Sequence, residues 1–264
     1  MQELYVITKR KSKGFTLVEL LLGMFFGIIV LAGATYIYVN VISSSASTLK
    51  SSKLNTQLMS MMSIMVNDIR RAGYWSTFTE TPSANPFSQQ NDTAVEVIAS
   101  MAADTEITLG SATSGQCITY SYDENENGNV DADSEYFGYR LNSGNIEMRT
   151  LGTVTDGDSC NNGTWTVFSD SDLYTITELS FNSNDSACVN TREPDGIDND
   201  GANGIDDDNE RDCYSQIPAA GSGDTTVETR DIQITIAAAL VADPEVTMSI
   251  TQSVRVRNDW IRIR

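Results

Sequence analysis

The hydrophobic pattern begins with one long apolar segment near the N-terminus. Residues 15–39 form a nearly continuous apolar run that follows a basic stretch at residues 9–13. A helix of this length, at about 1.5 Å per residue, exceeds the roughly 30 Å hydrocarbon core of a bilayer. The run therefore predicts a transmembrane helix, with the basic flank in the cytoplasm and the chain after residue 40 on the opposite side.

The next segment, residues 40–73, is predicted to continue the same helix with one apolar face. Residues 43–53 contain no proline or glycine that would end a helix. Apolar residues then recur every three or four positions, as in an amphipathic helix: Leu54, Leu58, Met61, Met65 and Ile69. Gly73 is the first residue that favours a helix end, so we expect one helix of about 58 residues.

The remainder, residues 74–264, consists of short strand-like runs separated by Ser, Asn, Asp and Gly. Runs rich in β-branched and aromatic residues predict strands at residues 95–98, 117–122, 136–141, 146–150, 164–168, 173–181, 231–241 and 246–256. Apolar residues alternate in the last two runs around Asp243-Pro244, which predicts a hairpin with one buried face. An antiparallel sheet packed on the second half of the helix gives an α+β fold.

The charge composition excludes several classes of function. The chain has 264 residues, a formal net charge of −19 and no histidine. Nucleic-acid binding needs clustered Lys and Arg to replace phosphate counterions, so no nucleic-acid partner is expected. The lack of histidine removes Ser-His-Asp triads, Cys-His pairs and His-ligated zinc.

Paired carboxylates are the remaining enzymatic alternative. Asp206 and Asp208 could flank a glycosidic bond, but their loop is so acidic that no single general acid stands out. The neighbouring sequence offers no aromatic platform for a sugar. We therefore expect no enzyme and no catalytic residue.

The four cysteines are widely spaced, at Cys117, Cys160, Cys188 and Cys213. No CxxC pair is present for zinc or thiol exchange, and an even number favours two disulfides in an oxidising compartment over free cytosolic thiols. Four cysteines allow three pairings. We expect Cys188–Cys213, because these residues bracket the acidic stretch 195–210, and by elimination Cys117–Cys160.

Two acidic loops, residues 123–135 and 193–212, suggest calcium. Ca²⁺ takes several oxygen ligands at 2.3–2.6 Å, which alternate positions around a central glycine can supply. Positions 1, 3, 5, 6, 7 and 9 of an EF-hand-like loop are occupied in the first loop by Asp123, Asn125, Asn127, Gly128, Asn129 and Asp131. The twelfth position is Ser134, with Glu135 one residue late, which weakens bidentate ligation.

The second acidic loop matches the same pattern in part. Positions 1, 3, 8 and 9 are occupied by Asp198, Asp200, Ile205 and Asp206, while Asn203-Gly204 comes one place late. Asp208 and Glu210 are further carboxylates nearby. We expect Ca²⁺ at one or both loops. The alternative is that these Asp/Asn/Gly-rich turns are solvated surface without an ion.

The residues before the apolar run indicate processing. In a secretory signal peptide, a small-residue cleavage site follows an apolar region of about 7–15 residues, whereas Gly14 precedes the apolar run here. Cleavage after Gly14 would keep the membrane segment and create an α-amino group at Phe15. That group can pair with Glu19 of a neighbouring subunit, offsetting a burial cost of about 2.5–3.5 kcal/mol for an intramembrane acid.

These residues resemble a known processing signal. Residues 13–20 read Lys-Gly-Phe-Thr-Leu-Val-Glu-Leu, which is similar to the signal of type IV prepilins and type II secretion pseudopilins. The resemblance implies cleavage by prepilin peptidase, N-methylation of Phe15 and a helix in a filament core. The expected divisions are a leader at 1–14, a transmembrane and filament-core helix at 15–39, an amphipathic continuation at 40–73 and a periplasmic head domain at 74–264.

Further stretches resemble PilW-like minor pilins of type IV pili, at residues 68–74, 117–123, 137–141 and 254–258. The resemblance implies a minor pilin that helps initiate pilus assembly at or near the tip. Its implied partners are other minor pilins, the major pilin, prepilin peptidase, the inner-membrane assembly platform and a tip adhesin. Its implied location is the inner membrane, with a periplasmic C-terminal domain, and then the extracellular pilus.

Two alternatives remain open from the sequence. A minor pseudopilin of a type II secretion system shares the processing signal and the fold, although residues 68–74 and 117–123 favour the pilus. A tip adhesin that uses Ca²⁺ is the other alternative. Adhesion, twitching motility and DNA uptake all remain open as roles of the filament.

Overall fold

A single long helix, α1, opens the described part of the chain. It spans Leu17–Ile69 and contains 53 residues. The computed structural model describes residues 14–77, 79–88, 93–100, 105–106, 114–131, 134–152 and 159–264. The predicted leader, apart from Gly14, therefore lies outside the described residues. The chain divides into two compact units, Met1–Leu49 and Lys50–Arg264.

In the first unit, the apolar side chains of α1 are exposed. Large apolar residues from Leu17 to Ile42 all lie open on the helix surface. Among the described residues, α1 is the one helix that is long and apolar enough to cross a membrane. The predicted apolar N-terminal helix is present, and its length and composition suit a membrane anchor.

In the second unit, α1 buries one face. All five apolar positions predicted for this face are buried, together with two neighbours: Leu54, Leu58, Met61, Met62, Met65, Val66 and Ile69. They share one core cluster with sheet residues such as Leu179, Phe181 and Ile234. Full burial of such a side chain contributes about 1.5–3 kcal/mol, so this face stabilises the packing of helix on sheet.

The helix ends four residues before Gly73. After Ile69 the chain makes a turn, in which the Ala72 N–H donates to the Ile69 carbonyl at 3.1 Å. The Gly73 N–H then donates to the Ser121 carbonyl at 2.8 Å, and Gly73 has a φ of +70°. Since side chains disfavour this left-handed conformation, the glycine marks the change of direction after the helix and not its last turn.

The described residues of the second unit form three antiparallel sheets. The strands are β1 (Glu96–Ser100), β2 (Thr105–Glu106), β3 (Ser114–Gly115), β4 (Cys117–Ser121), β5 (Tyr136–Asn142), β6 (Asn145–Leu151), β7 (Thr164–Val167), β8 (Tyr174–Asn182), β9 (Ala187–Asn190), β10 (Thr225–Thr229), β11 (Asp231–Leu240), β12 (Asp243–Arg255) and β13 (Trp260–Ile263). The strand orders are β2-β1-β4-β5-β6-β7, β12-β11-β8-β3 and β13-β10-β9. A short helix, α2, covers Asp208–Arg211. Each predicted strand overlaps an observed one, and the predicted α+β fold is confirmed.

The C-terminal hairpin differs from its prediction in the position of its turn. β11 and β12 pair antiparallel, with Ile232 opposite Val254 and Ile236 opposite Ile250. The two turn residues are Val241 and Ala242, and Asp243-Pro244 already begins β12. Proline is tolerated there because β12 is the edge strand of its sheet and the first residues of an edge need no donated hydrogen bond.

The sheet β13-β10-β9 was not predicted from the sequence. Its central strand buries Thr226 and Glu228 instead of apolar side chains. Glu228 is held by Arg262 at 2.8 Å, by Arg230 and by the Tyr214 hydroxyl at 2.9 Å. Because a buried ionic network carries no hydrophobic alternation, the pattern of apolar residues gave no sign of these strands.

Two disulfides join parts of the second unit. Cys117 at the start of β4 bonds to Cys160, and Cys188 in β9 bonds to Cys213 just after α2. These are the pairs expected from the sequence. Because Cys188 and Cys213 are 25 positions apart, the second bridge closes the acidic loop at its base.

Candidate functional site

The N-terminus of α1 has a capping box. The Glu19 carboxylate accepts hydrogen bonds from the N–H and the hydroxyl of Thr16, both at 3.0 Å. In return, the Glu19 N–H donates to the Thr16 hydroxyl at 3.3 Å. Such a reciprocal pair satisfies donors that the first helical turn leaves free. The sequence carries the corresponding signal, a Thr followed three residues later by a Glu.

The predicted processing residues lie next to this cap. Phe15 and Gly14 are both exposed. A Cβ atom added at Gly14 would meet no other atom within 4 Å. The packing of the described residues therefore does not require glycine at this position, and a requirement for glycine would have to come from another molecule.

The first acidic loop folds around Asp123. One carboxylate oxygen of Asp123 accepts the N–H of Asn127 at 3.0 Å, and the other accepts the N–H of Gly128 at 3.0 Å and the Ser76 hydroxyl at 2.6 Å. Burial alone would raise the pKa of Asp123, but these hydrogen bonds outweigh it and hold the pKa below its ordinary value. Gly128 has a φ of +79°, which suits the glycine expected at the sixth loop position.

The far end of the first loop is closed by Glu135. Its two carboxylate oxygens accept the N–H groups of Glu124 at 2.9 Å and Asp131 at 2.8 Å. The side-chain amide of Asn127 donates to Asp131 at 2.8 Å, while Asn129 bonds back to Asn127. Asn125 also donates to Asp131. The predicted ligands of this loop thus lie together, but backbone N–H groups already satisfy Asp123 and Glu135.

The second acidic loop brings carboxylates together more closely. Glu193, Asp206 and Glu210 form one group, and Asp198, Asp200 and Glu210 form another; within each group, one oxygen per residue lies within 4.8 Å of the others. Among the predicted ligands of this loop, Asp208, the first residue of α2, belongs to neither group. Asp207 caps that helix by accepting the N–H groups of Asn209 and Glu210.

Glu193 is the ligand candidate that the sequence analysis missed. It is 7% exposed, and it accepts hydrogen bonds from the Asn199 side chain at 2.8 Å and the Asp195 N–H at 3.2 Å. Burial, together with the charges of Asp195 and Glu210, raises the pKa of Glu193. The loop pattern could not have found it, because Glu193 lies five residues before Asp198, the first position of the EF-hand-like pattern, and joins the group only through the fold.

A cluster of tyrosines lies at the C-terminal end of α1. Asp68 accepts the hydroxyls of Tyr120 at 2.6 Å, Tyr122 at 3.0 Å and Tyr139 at 3.2 Å. The Arg71 guanidinium lies 4.0 Å from the centre of the Tyr122 ring. This cluster joins the helix end to β4 and β5. It brings together residues from three of the stretches that resemble PilW-like minor pilins, at residues 68–74, 117–123 and 137–141.

The long helix, apolar in its first part and packed on antiparallel sheets in its second, defines a pilin-like α+β protein. Residues 47–256 match the family model of prepilin peptidase-dependent protein B, so the chain belongs to the family of prepilin peptidase-dependent protein B. It is therefore a type IV pilus-related protein that depends on prepilin peptidase. No curated protein and no solved structure matches the chain. The processing residues 13–20 lie outside the matched range.

Proposed function

We propose that this protein is a PilW-like minor pilin, which helps to initiate assembly of a type IV pilus and is incorporated at or near its tip. The observation that carries the proposal is the pilin-like fold in a chain of a prepilin peptidase-dependent family. The exposed apolar surface of α1 between Leu17 and Ile42 supports it. Such a surface needs a membrane before assembly and neighbouring helices afterwards.

The proposed life cycle follows from the divisions of the chain. Prepilin peptidase removes residues 1–14, Phe15 becomes the methylated N-terminus, and residues 15–39 serve first as a transmembrane helix and then as filament core. Residues 40–73 continue that helix, and residues 74–264 form a periplasmic head. The Phe15 amine pairs with Glu19 of a neighbouring subunit during assembly.

The partners and location follow from the same proposal. The protein meets prepilin peptidase and the assembly platform in the inner membrane, and other minor pilins, the major pilin and a tip adhesin in the filament. It has no catalytic role. In the pilus it contributes to the role of the filament, whether that role is adhesion, twitching motility or DNA uptake.

Calcium is the proposed cofactor of the acidic loops. The clustering of carboxylates in the second loop supports it there. In the first loop, the predicted ligands Asn125, Asn127 and Asp131 lie together and support it, although backbone N–H groups already bond to Asp123. Oxygen ligands of this kind suit a hard divalent cation.

Deletion of the gene and shearing of surface filaments test the proposed function. We expect the deletion strain to lose most surface pili, and an epitope-tagged chain expressed in that strain to restore them and to appear in the sheared fraction. A matched version with Glu19→Ala should insert in the membrane but stay out of the filaments.

The same strains separate the alternatives. Normal pili together with failed protein secretion would favour the type II pseudopilin and contradict our proposal. Normal pilus number with lost surface attachment would favour the tip adhesin alone.

A further inference from the structure

The second acidic loop contains one residue that belongs to two ligand groups. Glu210 lies with Glu193 and Asp206 on one side and with Asp198 and Asp200 on the other. Glu193 lies three residues after Asn190, the last residue of β9, whereas Glu210 lies in α2. The fold therefore places Glu193, at the start of the loop, close to Glu210 near the end of the loop.

The surroundings of Glu210 give a second observation, independent of the clustering, that points to a ligand. Its side chain is 1% exposed. The oxygen Oε1 accepts the N–H groups of Asn199 and, at 3.2 Å, Asp200. The other oxygen, Oε2, is buried and has no hydrogen-bond partner. A buried carboxylate oxygen without a donor is unfavourable, and a cation within the carboxylate groups would satisfy it.

The carboxylates of the loop fall into two groups, and each group is compact enough to surround one ion. Two oxygens that bind the same Ca²⁺ at 2.3–2.6 Å are at most about 5 Å apart. Each group of three meets this limit separately, so each can supply ligands to one ion. The charge of the five carboxylates in the two groups agrees with two ions. Two divalent cations offset four of their five negative charges, whereas one cation leaves three negative charges without compensation.

We propose that the second acidic loop binds two divalent cations of the Ca²⁺ type, bridged by the Glu210 carboxylate. Glu193 and Asp206 complete one shell, and Asp198 and Asp200 complete the other. This inference rests on the proposed role of calcium and extends it, because it assigns the number of ions, the bridging residue and Glu193 as a ligand. The bridge links the residues after β9 to α2.

Counting bound ions tests the bridge. Equilibrium dialysis of the full chain in detergent, with Ca²⁺ alone as the probe, gives the number of ions per chain. Relative to the unaltered protein, Glu193→Gln and Asp198→Asn should each lose one ion, and Glu210→Gln should lose two. The matched control, Asp208→Asn, removes a charge from the same loop and should lose none. Any Ca²⁺ bound by the first loop is present in the parent and in every variant, so it does not change the difference in the number of bound ions.

A combined variant keeps the test informative if Glu210→Gln fails to fold. Glu193→Gln together with Asp198→Asn should lose two ions while near-ultraviolet circular dichroism remains that of the parent. If the two single variants and the combined variant all lose the same one ion, the loop holds a single cation and the bridge is wrong. If the parent binds no Ca²⁺, both this inference and the proposed calcium role are wrong.

Discussion

At the residue scale, Glu19 combines two roles that substitution can separate. In the structure its carboxylate forms the capping box with Thr16, and in the proposed filament it pairs with the Phe15 amine. Glutamine can fill the same position of a capping box but carries no charge. Alanine removes both interactions.

Comparing glutamine and alanine at position 19 separates the effect of the charge from the effect of the cap. We expect Glu19→Gln to impair incorporation into pili as strongly as Glu19→Ala, because the charge pair and not the cap drives assembly. Immunoblots of sheared filaments measure incorporation, and immunoblots of membranes check that insertion is intact. If the Gln variant enters pili normally while the Ala variant does not, the essential role of Glu19 is capping.

The tyrosines around Asp68 predict a stability change in alkaline solution. Burial raises the pKa of Tyr120, Tyr122 and Tyr139, and the Asp68 charge raises each further. An unfolded chain releases the phenolic proton near pH 10, while the folded chain keeps it. Their contribution to stability is therefore fully present below about pH 10 and is lost as the pH rises towards the folded pKa values.

Urea unfolding measured at increasing pH tests the tyrosine prediction. Above about pH 10 the free energy of unfolding should fall by up to about 1.4 kcal/mol per pH unit for each such tyrosine. Tyr122→Phe should make the fall less steep, because one titrating group is removed. A free energy of unfolding that is independent of pH across this range would contradict the raised pKa values.

At the element scale, the two faces of α1 should respond differently to truncation. Leu58 is 0% exposed and its neighbour Met59 is 53% exposed. We expect Leu58→Ala to lower the free energy of unfolding by about 2–5 kcal/mol, because it leaves a cavity under the sheet. Met59→Ala, the matched control, should change it by less than about 0.5 kcal/mol. Equal effects in urea titrations of the full chain in detergent would contradict the packing.

The sequence predicted the elements that depend on hydrophobic periodicity. The buried face of α1 and the β11–β12 hairpin were both found, because apolar residues recur there at the helical or strand period. The sheet β13-β10-β9 was not predicted, because its central strand buries Glu228 with Arg230 and Arg262 and so lacks the apolar alternation of a strand. Glu193 was not predicted as a ligand, because its place beside Glu210 depends on the three-dimensional path of the loop and not on a local sequence pattern.

At the scale of the whole molecule, the two units suit two successive environments. The described part of the first unit exposes the apolar helix surface that a membrane or filament core would cover. The second unit has its own core and two disulfides, which suit an oxidising compartment. Processing after Gly14 is the step that would connect the two environments.

The mature N-terminus in sheared pili tests this account most directly. Mass spectrometry of the chain purified from filaments should find a first residue of N-methylated Phe15, and Gly14→Ala should leave the chain uncleaved in the membrane and absent from filaments. A side chain at residue 14 would obstruct the approach of the peptidase to the backbone. A filament-bound chain that still begins at Met1, or one that begins after residue 30, would contradict the account.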